Sequence, residues 1–142
     1  MELGSLKAII KNHEEWLQNC GKGKRAKFRN LGISQECLSN TNLSKAIFTK
    51  ANASWTDFIA CKLQDADFTE CNLTWANLMG ADLTNANFTG AKLNYANFRG
   101  CNLTNANFTG CDFYLTNFEN CITNGAVGIP TPKDDMDFKV IV

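Results

Sequence analysis

The sequence lacks an excess of charge of either sign. Its 142 residues include 14 Lys and Arg and 14 Asp and Glu, so the formal net charge is zero and the isoelectric point is near 6.5. A neutral chain has no overall field that would attract nucleic acid or an anionic membrane surface, and we expect neither as a partner. The sequence also lacks an apolar run of the roughly 20 residues that span a bilayer.

Histidine is nearly absent as well. The single histidine, His13, lies in an apolar helical period beside Glu14 and Glu15, and a metal site would need further ligands at close spacing. Catalysis needs convergent groups, such as a nucleophile with a base or two carboxylates in a cleft. The sequence contains no such cluster, so it predicts no metal, no cofactor and no enzyme activity.

A five-residue repeat organises most of the chain. From Ala46 the sequence reads AIFTK ANASW TDFIA CKLQD ADFTE and continues in this way to Asn120, with a small residue followed two places later by Leu or Phe. Ala53 is the one exception to the Leu or Phe rule, and the pattern extends upstream to Phe28. A period of five fits neither a helix nor a strand, so each repeat is predicted to be a short extended piece followed by a corner.

Residues 20 apart form uniform columns, which indicates that four repeats close one coil. One column contains only Phe, at positions 28, 48, 68, 88 and 108, and another contains Leu at positions 43, 63, 83 and 103. Residues 26–125 would then make about five coils, and a parallel-strand spacing of about 4.8 Å gives a rod roughly 24 Å long. The predicted fold is an all-β solenoid, a quadrilateral parallel β-helix filled by Phe, Leu, Ala and Cys.

This pattern resembles the pentapeptide-repeat family, whose consensus is Ala, Asp or Asn, Leu or Phe, and two variable residues. The resemblance covers about 100 residues and is clearest from Ala46 to Asn120. It implies a right-handed quadrilateral β-helix. The leader that runs from His13 to Ala26 is similar to the helical segment that precedes the coils in many bacterial and cyanobacterial members. The quinolone-resistance members bind type II topoisomerases as dimers shaped and charged like DNA.

The chain before the repeats is predicted to cap the rod, because a stack of coils exposes unpaired backbone at its ends. Apolar residues at helical spacing predict an amphipathic helix over residues 5–20, with Ser5 as N-cap and Gly21 as the stop. The basic stretch that ends at Arg25 is predicted to link this helix to the first coil. Residues 1–25 would therefore form the capping helix and linker.

The segment after the repeats, residues 126–142, has no single prediction. The stretch from Gly128 to Pro132 breaks the repeat, since proline cannot continue a hydrogen-bonded ladder. Apolar and polar residues alternate from Met136 to Val142. This tail could be a strand packed on the rod, a dimer contact, or disordered.

The seven cysteines favour a reducing compartment. Their number is odd, and the N-terminal residues mix charged with apolar side chains and do not resemble a signal peptide, so we expect reduced thiols and a cytoplasmic location. Cys20 and Cys37 are expected to be accessible, and Cys101 and Cys121 lie in adjacent coils of one column. The remaining packing positions occupied by cysteine are 61, 71 and 111, where it replaces a small inward residue.

One outward column differs from the polar surface elsewhere. At positions 35, 55, 75, 95 and 115 it contains Gln, Trp, Trp, Tyr and Leu, and two further apolar residues follow this corner. Exposed aromatic and Met side chains usually mark an interface. The predicted protein-binding residues are Trp55, Ile59, Trp75, Met79, Tyr95 and Leu115. The occupant of this patch could be another protein, a second copy of the chain, or the chain's own tail.

Charge bears on the alternative function, a DNA-mimic regulator of a type II topoisomerase. Residues 26–125 carry 7 basic and 8 acidic residues, a net charge of −1, whereas a DNA mimic should be strongly acidic. The sequence therefore favours a non-enzymatic protein–protein interaction module, with the topoisomerase regulator as the alternative.

Overall fold

The computed structural model describes residues 2–19, 21–130 and 141. One helix, α1, spans Leu3–Gln18. It begins two residues before the predicted start, because the Glu2 carbonyl accepts hydrogen bonds from the amides of Ser5 (3.0 Å) and Leu6 (3.2 Å) and closes the first turn without a side-chain cap. The prediction of Ser5 as the N-cap is therefore wrong. The helix ends before the predicted Gly21 stop, where Asn19 turns to an extended backbone with φ −151°.

Residues 27–127 form a parallel solenoid. Single bridge residues pair across a constant separation of 20, from Lys27 with Ile47 to Asn107 with Val127, and they recur every five residues. A two-residue turn follows each bridge position and its inward neighbour. The pairings among the described residues are therefore isolated single-residue bridges, and none of them extends into a strand of several residues. The 20-residue register predicted from the Phe and Leu columns is confirmed by these pairings.

Hydrogen bonding explains why the repeat prefers Asp or Asn. In the pentapeptide 66–70 all five amides are donors: four donate to backbone carbonyls, and Thr69 N–H donates to Asp67 Oδ1 (2.9 Å). The four backbone bonds are Ala66 to Leu63 (3.1 Å), Asp67 to Ala46 (3.0 Å), Phe68 to Asn87 (2.7 Å) and Glu70 to Thr89 (2.9 Å). The carboxylate therefore satisfies the one amide of the repeat that the ladder leaves over.

The core is a solid stack of side chains. Successive rings of the Phe column lie 4.5 to 5.0 Å apart and within 11° of parallel, and all five are fully buried. Phe58 and Phe98, from another side of the coil, contact this column edge-on. The interior is therefore filled by packed rings, Leu and Ala, as the sequence predicts.

Helix α1 contacts the first coils through His13. The His13 side chain is fully buried; its Nδ1 accepts a hydrogen bond from Ala26 N–H (3.0 Å) and its Nε2 lies 3.0 Å from the Ser44 carbonyl. An amide and a carbonyl on opposite sides of the ring require the neutral tautomer with the proton on Nε2. Trp16 stacks on the imidazole at 5.5 Å, and Leu6 is also buried.

The described part of the C-terminal segment continues the pairing. Val127 donates to the Ala106 carbonyl (3.0 Å), two residues beyond the predicted end of the repeats. Ile141 pairs with Asn117, and its carbonyl accepts a hydrogen bond from Phe118 N–H (2.7 Å). Ile141 thus lies against the rod, as in the first of the three alternatives for the tail, and the other residues of the 131–142 stretch lie outside the described residues.

Candidate functional site

The aromatic column occupies one corner of the coil. Trp55, Trp75 and Tyr95 are the fifth residues of their repeats, and each has a positive φ of 61° or 62°. This left-handed conformation turns the chain from one side of the coil to the next, and the side chain points away from the filled interior. The sequence predicts the outward orientation, and the corner conformation adds its cause.

The three rings form one continuous stack. The Trp55 and Trp75 centroids are 4.9 Å apart with the planes 9° from parallel, and Trp75 and Tyr95 are 4.1 Å apart and 1° from parallel. The exposed fraction is 56% for Trp55 and 44% for Trp75, whereas Tyr95 is half-buried. Because consecutive rings cover each other's faces, the stack presents ring edges to solvent along one side of the rod.

Tyr114 extends this surface and was missed at the sequence level. Its ring meets Tyr95 edge-on at 5.3 Å and 81°, and 41% of the residue is exposed. It occupies the position before Leu115, where earlier coils have Ser, Thr or Asn. The sequence signal that could have identified Tyr114 is an aromatic residue in a column that is otherwise polar. Leu115, the last member of the corner column, is half-buried.

Ile59 and Met79 lie on the side of the coil that follows the aromatic corner. Met79 is 39% exposed and Ile59 is half-buried. The amides of both residues donate to the bridge residue two places earlier, Asp57 Oδ1 (3.0 Å) and Asn77 Oδ1 (3.3 Å) respectively. Their backbones therefore make the hydrogen bond that is usual in this repeat. That Ile59 and Met79 form one contiguous apolar surface with the ring stack stays a prediction.

The six described cysteines are free thiols that differ in exposure. Cys37 is exposed, Cys61, Cys71 and Cys101 are buried, and Cys111 and Cys121 are half-buried. Burial raises the pKa of Cys71 to about 12. The neighbouring Cys121 thiol, and then burial, raise the pKa of Cys101. In the structure Cys101 and Cys121 each donate to a backbone carbonyl at 2.9 Å, so these thiols serve as packing and hydrogen-bonding groups. The accessibility predicted for Cys20 lies outside the described residues.

Within residues 2–19, 21–130 and 141, no group of three or more His, Cys, Asp or Glu side chains is arranged to hold a metal ion. The one helix of the same residues, α1, is neither long enough nor apolar enough to cross a membrane.

The bridge register, the filled interior and the Asp or Asn at the second position of most repeats define a class of protein, the pentapeptide β-solenoid. Two family models match the chain: one described as "Pentapeptide repeat region" over residues 23–98, and one described as "Pentapeptide repeats (8 copies)" over residues 81–120. The chain belongs to the pentapeptide repeat family.

Solved structures of pentapeptide repeat proteins resemble the chain. A protein from the thylakoid lumen of Arabidopsis thaliana is 31% identical, with 75% of this chain and 72% of that one covered and a TM-score of 0.52. Full-length QnrB1, a plasmid-mediated fluoroquinolone resistance protein, is 18% identical over 70% of this chain and 62% of that one, with a TM-score of 0.48. The protein alr5209 from Nostoc PCC 7120 is 22% identical over 84% and 86%, with a TM-score of 0.34. No curated protein matches the chain.

Proposed function

We propose that this protein is a non-enzymatic protein–protein interaction module, and that the edge formed by Trp55, Trp75 and Tyr95 contacts the partner. The supporting observation is the exposure of two Trp side chains, 56% and 44%, in one ordered stack on a surface that is otherwise mainly polar. Exposed aromatic groups with this degree of contiguity are typical of binding surfaces. Trp and Tyr are also the residue types that most often dominate binding energy at protein interfaces.

The stack is suited to binding because it is already ordered before a partner arrives. Each ring is fixed on one or both faces by its neighbours, at 4.9 Å and 4.1 Å, and its backbone is held by the ladder above and below. A partner would therefore lose little of its binding free energy to ordering these side chains. The other possible occupants of the edge are a second copy of the chain and the chain's own tail, and the mass and capture measurements below separate a partner protein from these two.

The architecture proposed for this module is a right-handed rod of about five coils, residues 26–125, between a capping segment 1–25 and a tail 126–142. Support for the cap comes from α1, whose Leu6 is buried and whose His13 bonds to Ala26 and Ser44. Solenoid ends need such cover because their unpaired backbone groups would otherwise pair with another chain.

We further propose a cytoplasmic location without a nucleic-acid or membrane partner. Free thiols at all six described cysteines support a reducing compartment, and the neutral net charge supports the absence of a polyanionic partner. The topoisomerase regulator stays the alternative, and the net charge of −1 over residues 26–125 gives it no support.

The test is affinity capture from a lysate of the source organism with three forms of the full chain. These are the wild type, a Trp55→Ser/Trp75→Ser/Tyr95→Ser variant, and a control with Asp65, Asn85 and Asn105 changed to Ser. The control residues occupy another corner column with the same positive φ, 58° to 60°, so both variants alter three corners of one kind. Light scattering on each form gives the oligomeric mass.

A partner captured by the wild type and the control, and lost by the aromatic variant, is the expected result. Equal capture by all three forms would refute the aromatic edge as the contact. If instead a wild-type dimer becomes a monomer in the aromatic variant while capture is unchanged, the edge is a self-association surface.

A further inference from the structure

Two cysteines lie one above the other near the C-terminal end of the rod. Cys101 and Cys121 occupy the same small inward position of repeats 20 residues apart, and Ile122 N–H donates to the Cys101 carbonyl (3.0 Å). Adjacent parallel coils are about 4.8 Å apart, which lies within the Cα–Cα separation of about 4.4 to 6.8 Å that a disulfide spans. Among the described residues these are the only two cysteines in adjacent coils of one column.

The Cys121 side chain reaches down to the coil that contains Cys101. Its Sγ donates to the Phe98 carbonyl (2.9 Å), and the Cys101 amide donates to the same oxygen (3.0 Å). Cys101 Sγ is directed one coil further down, to the Leu78 carbonyl (2.9 Å). Because both side chains point the same way, a rotation of Cys101 about its Cα–Cβ bond, towards the Phe98 carbonyl, brings the two sulfurs together.

The same column shows the arrangement that this rotation produces. Thr41 Oγ1 donates to the Leu38 carbonyl three residues before it (2.6 Å), and Cys61 Sγ, one coil above, donates to the same carbonyl (3.0 Å). The two γ atoms are then 3.6 Å apart. The Phe98 carbonyl has the corresponding position for Cys101 and Cys121. The backbone of this column therefore allows γ atoms of adjacent coils to be in contact.

The end of the rod leaves Cys121 accessible and able to adjust. Cys121 is half-buried, and Thr123, which replaces the buried Leu of earlier coils, is exposed. Among the described residues no backbone pairs beyond Ile122 on this side, so the last layer is held from below only. The neighbouring Cys101 thiol lowers the pKa of Cys121, against the effect of burial. The thiolate is the reactive form of cysteine.

We propose that Cys101 and Cys121 are a thiol oxidation site, which hydrogen peroxide converts to a disulfide between adjacent coils. The Cys121 thiolate sulfur bonds to one peroxide oxygen while the O–O bond breaks and hydroxide leaves, which gives a sulfenic acid. The Cys101 sulfur then attacks the Cys121 sulfur, the S–O bond breaks, and the hydroxyl leaves with the Cys101 proton as water. Both sulfurs are oxidised, and one peroxide is reduced to two waters once the hydroxide takes up the proton that Cys121 lost.

Such a disulfide suits a reducing compartment as a transient state. Cytosolic disulfides are usually catalytic or redox-sensing, because cellular thiols reduce them again. While it persists, the bond closes a loop of 20 residues and restricts the unfolded chain. Oxidation is therefore expected to stabilise the C-terminal end of the rod. This inference does not depend on the proposed binding function.

The experiment treats the reduced full-length protein with hydrogen peroxide and then blocks the remaining thiols with N-ethylmaleimide. Digestion without reduction by trypsin and endoproteinase Asp-N, which cleaves before Asp112, separates the peptide of Cys101 from that of Cys121, and mass spectrometry identifies any linkage. Cys111 is the matched control residue. It has the same repeat position and is also half-buried, its Sγ donates to the Phe88 carbonyl (2.9 Å), and the coil below it has Ala91.

Two variants of the full chain complete the design. Cys111→Ala should form the same disulfide as the wild type, and Cys101→Ala should form none. Alanine is the native residue at this place in the preceding coil, Ala81, so Cys101→Ala is expected to fold. In that variant dimedone should label the sulfenic acid of Cys121, because the second thiol is missing.

We expect peroxide to oxidise Cys121 at least about tenfold faster than Cys111 in the wild type. The urea midpoint of the wild type and of Cys111→Ala should rise on oxidation and return with dithiothreitol, whereas that of Cys101→Ala should stay unchanged. Equal oxidation rates of Cys121 and Cys111 would overturn the inference. So would a linked peptide that forms only when the protein is unfolded in urea during the peroxide treatment.

Discussion

Acid should weaken the docking of α1, because His13 is bound in its neutral form. Burial lowers the pKa of His13, and Arg25 acts in the same direction, while the hydrogen bond to Ser44 and the charge of Glu14 oppose them. A proton on Nδ1 would also replace the acceptor that Ala26 N–H needs. The folded state thus resists protonation that the unfolded chain, with a His pKa of about 6.5, accepts.

The sign and size of the effect follow from this difference. The unfolded state binds the additional proton, so the stabilisation is complete above pH 6.5 and is lost as the pH falls below it. One proton changes the free energy of unfolding by about 1.4 kcal/mol per pH unit, so the loss between pH 6.5 and pH 5 is at most about 2 kcal/mol.

Urea unfolding followed by circular dichroism at several pH values between 7 and 5 measures this loss. His13 is the only histidine, so a His13→Gln variant should be less stable at pH 7 and should show little further change down to pH 5. Hydrogen exchange at the Ala26 amide gives a local reading, which should accelerate in acid in the wild type. A wild type whose stability is constant or rises towards pH 5, or a variant with the same pH slope as the wild type, would refute the reasoning.

Three further predictions concern the rod. Phe68→Ala removes a ring stacked at 4.5 Å and 5.0 Å on its two column neighbours. It should lower the free energy of unfolding, measured in a urea titration, by about 3 to 5 kcal/mol. Ala60→Gly relieves a φ of 53° at an exposed corner and should raise the same free energy by up to about 1 kcal/mol. Dithionitrobenzoate should label Cys37 in the folded protein, whereas Cys71, buried and with its pKa raised to about 12, should react only after unfolding.

The sequence predicts the register because side chains in adjacent coils touch. A pure Phe column is compatible only with rings stacked every 20 residues, and the bridges and the ring spacings of 4.5 to 5.0 Å confirm it. The stacking of Trp55, Trp75 and Tyr95 follows from the same register. Column positions therefore predict which residues are neighbours, and they do so for inward-pointing and outward-pointing side chains alike.

Local hydrogen bonding is not contained in the column pattern. The start of α1 at Leu3 depends on a backbone turn closed by Glu2 and needs no capping side chain. The role of His13 depends on where the Ala26 amide and the Ser44 carbonyl lie after the helix has packed. The edge-on contact of Tyr114 depends on a rotamer at the last aromatic coil, which the sequence does not specify.

The corner conformation gives the aromatic edge its significance. A positive φ is favourable for Gly and tolerated by Asn, and both recur at other corners, such as Gly90 and Asn105. A bulky residue in this conformation costs about 1 to 2 kcal/mol, and each stacked aromatic pair returns about 0.5 to 1.5 kcal/mol. Trp55, Trp75 and Tyr95 therefore add little net stability to the rod. Since neither the backbone nor the core requires these rings, parallel unfolding and binding measurements on the same aromatic variants separate a contact surface from a structural one.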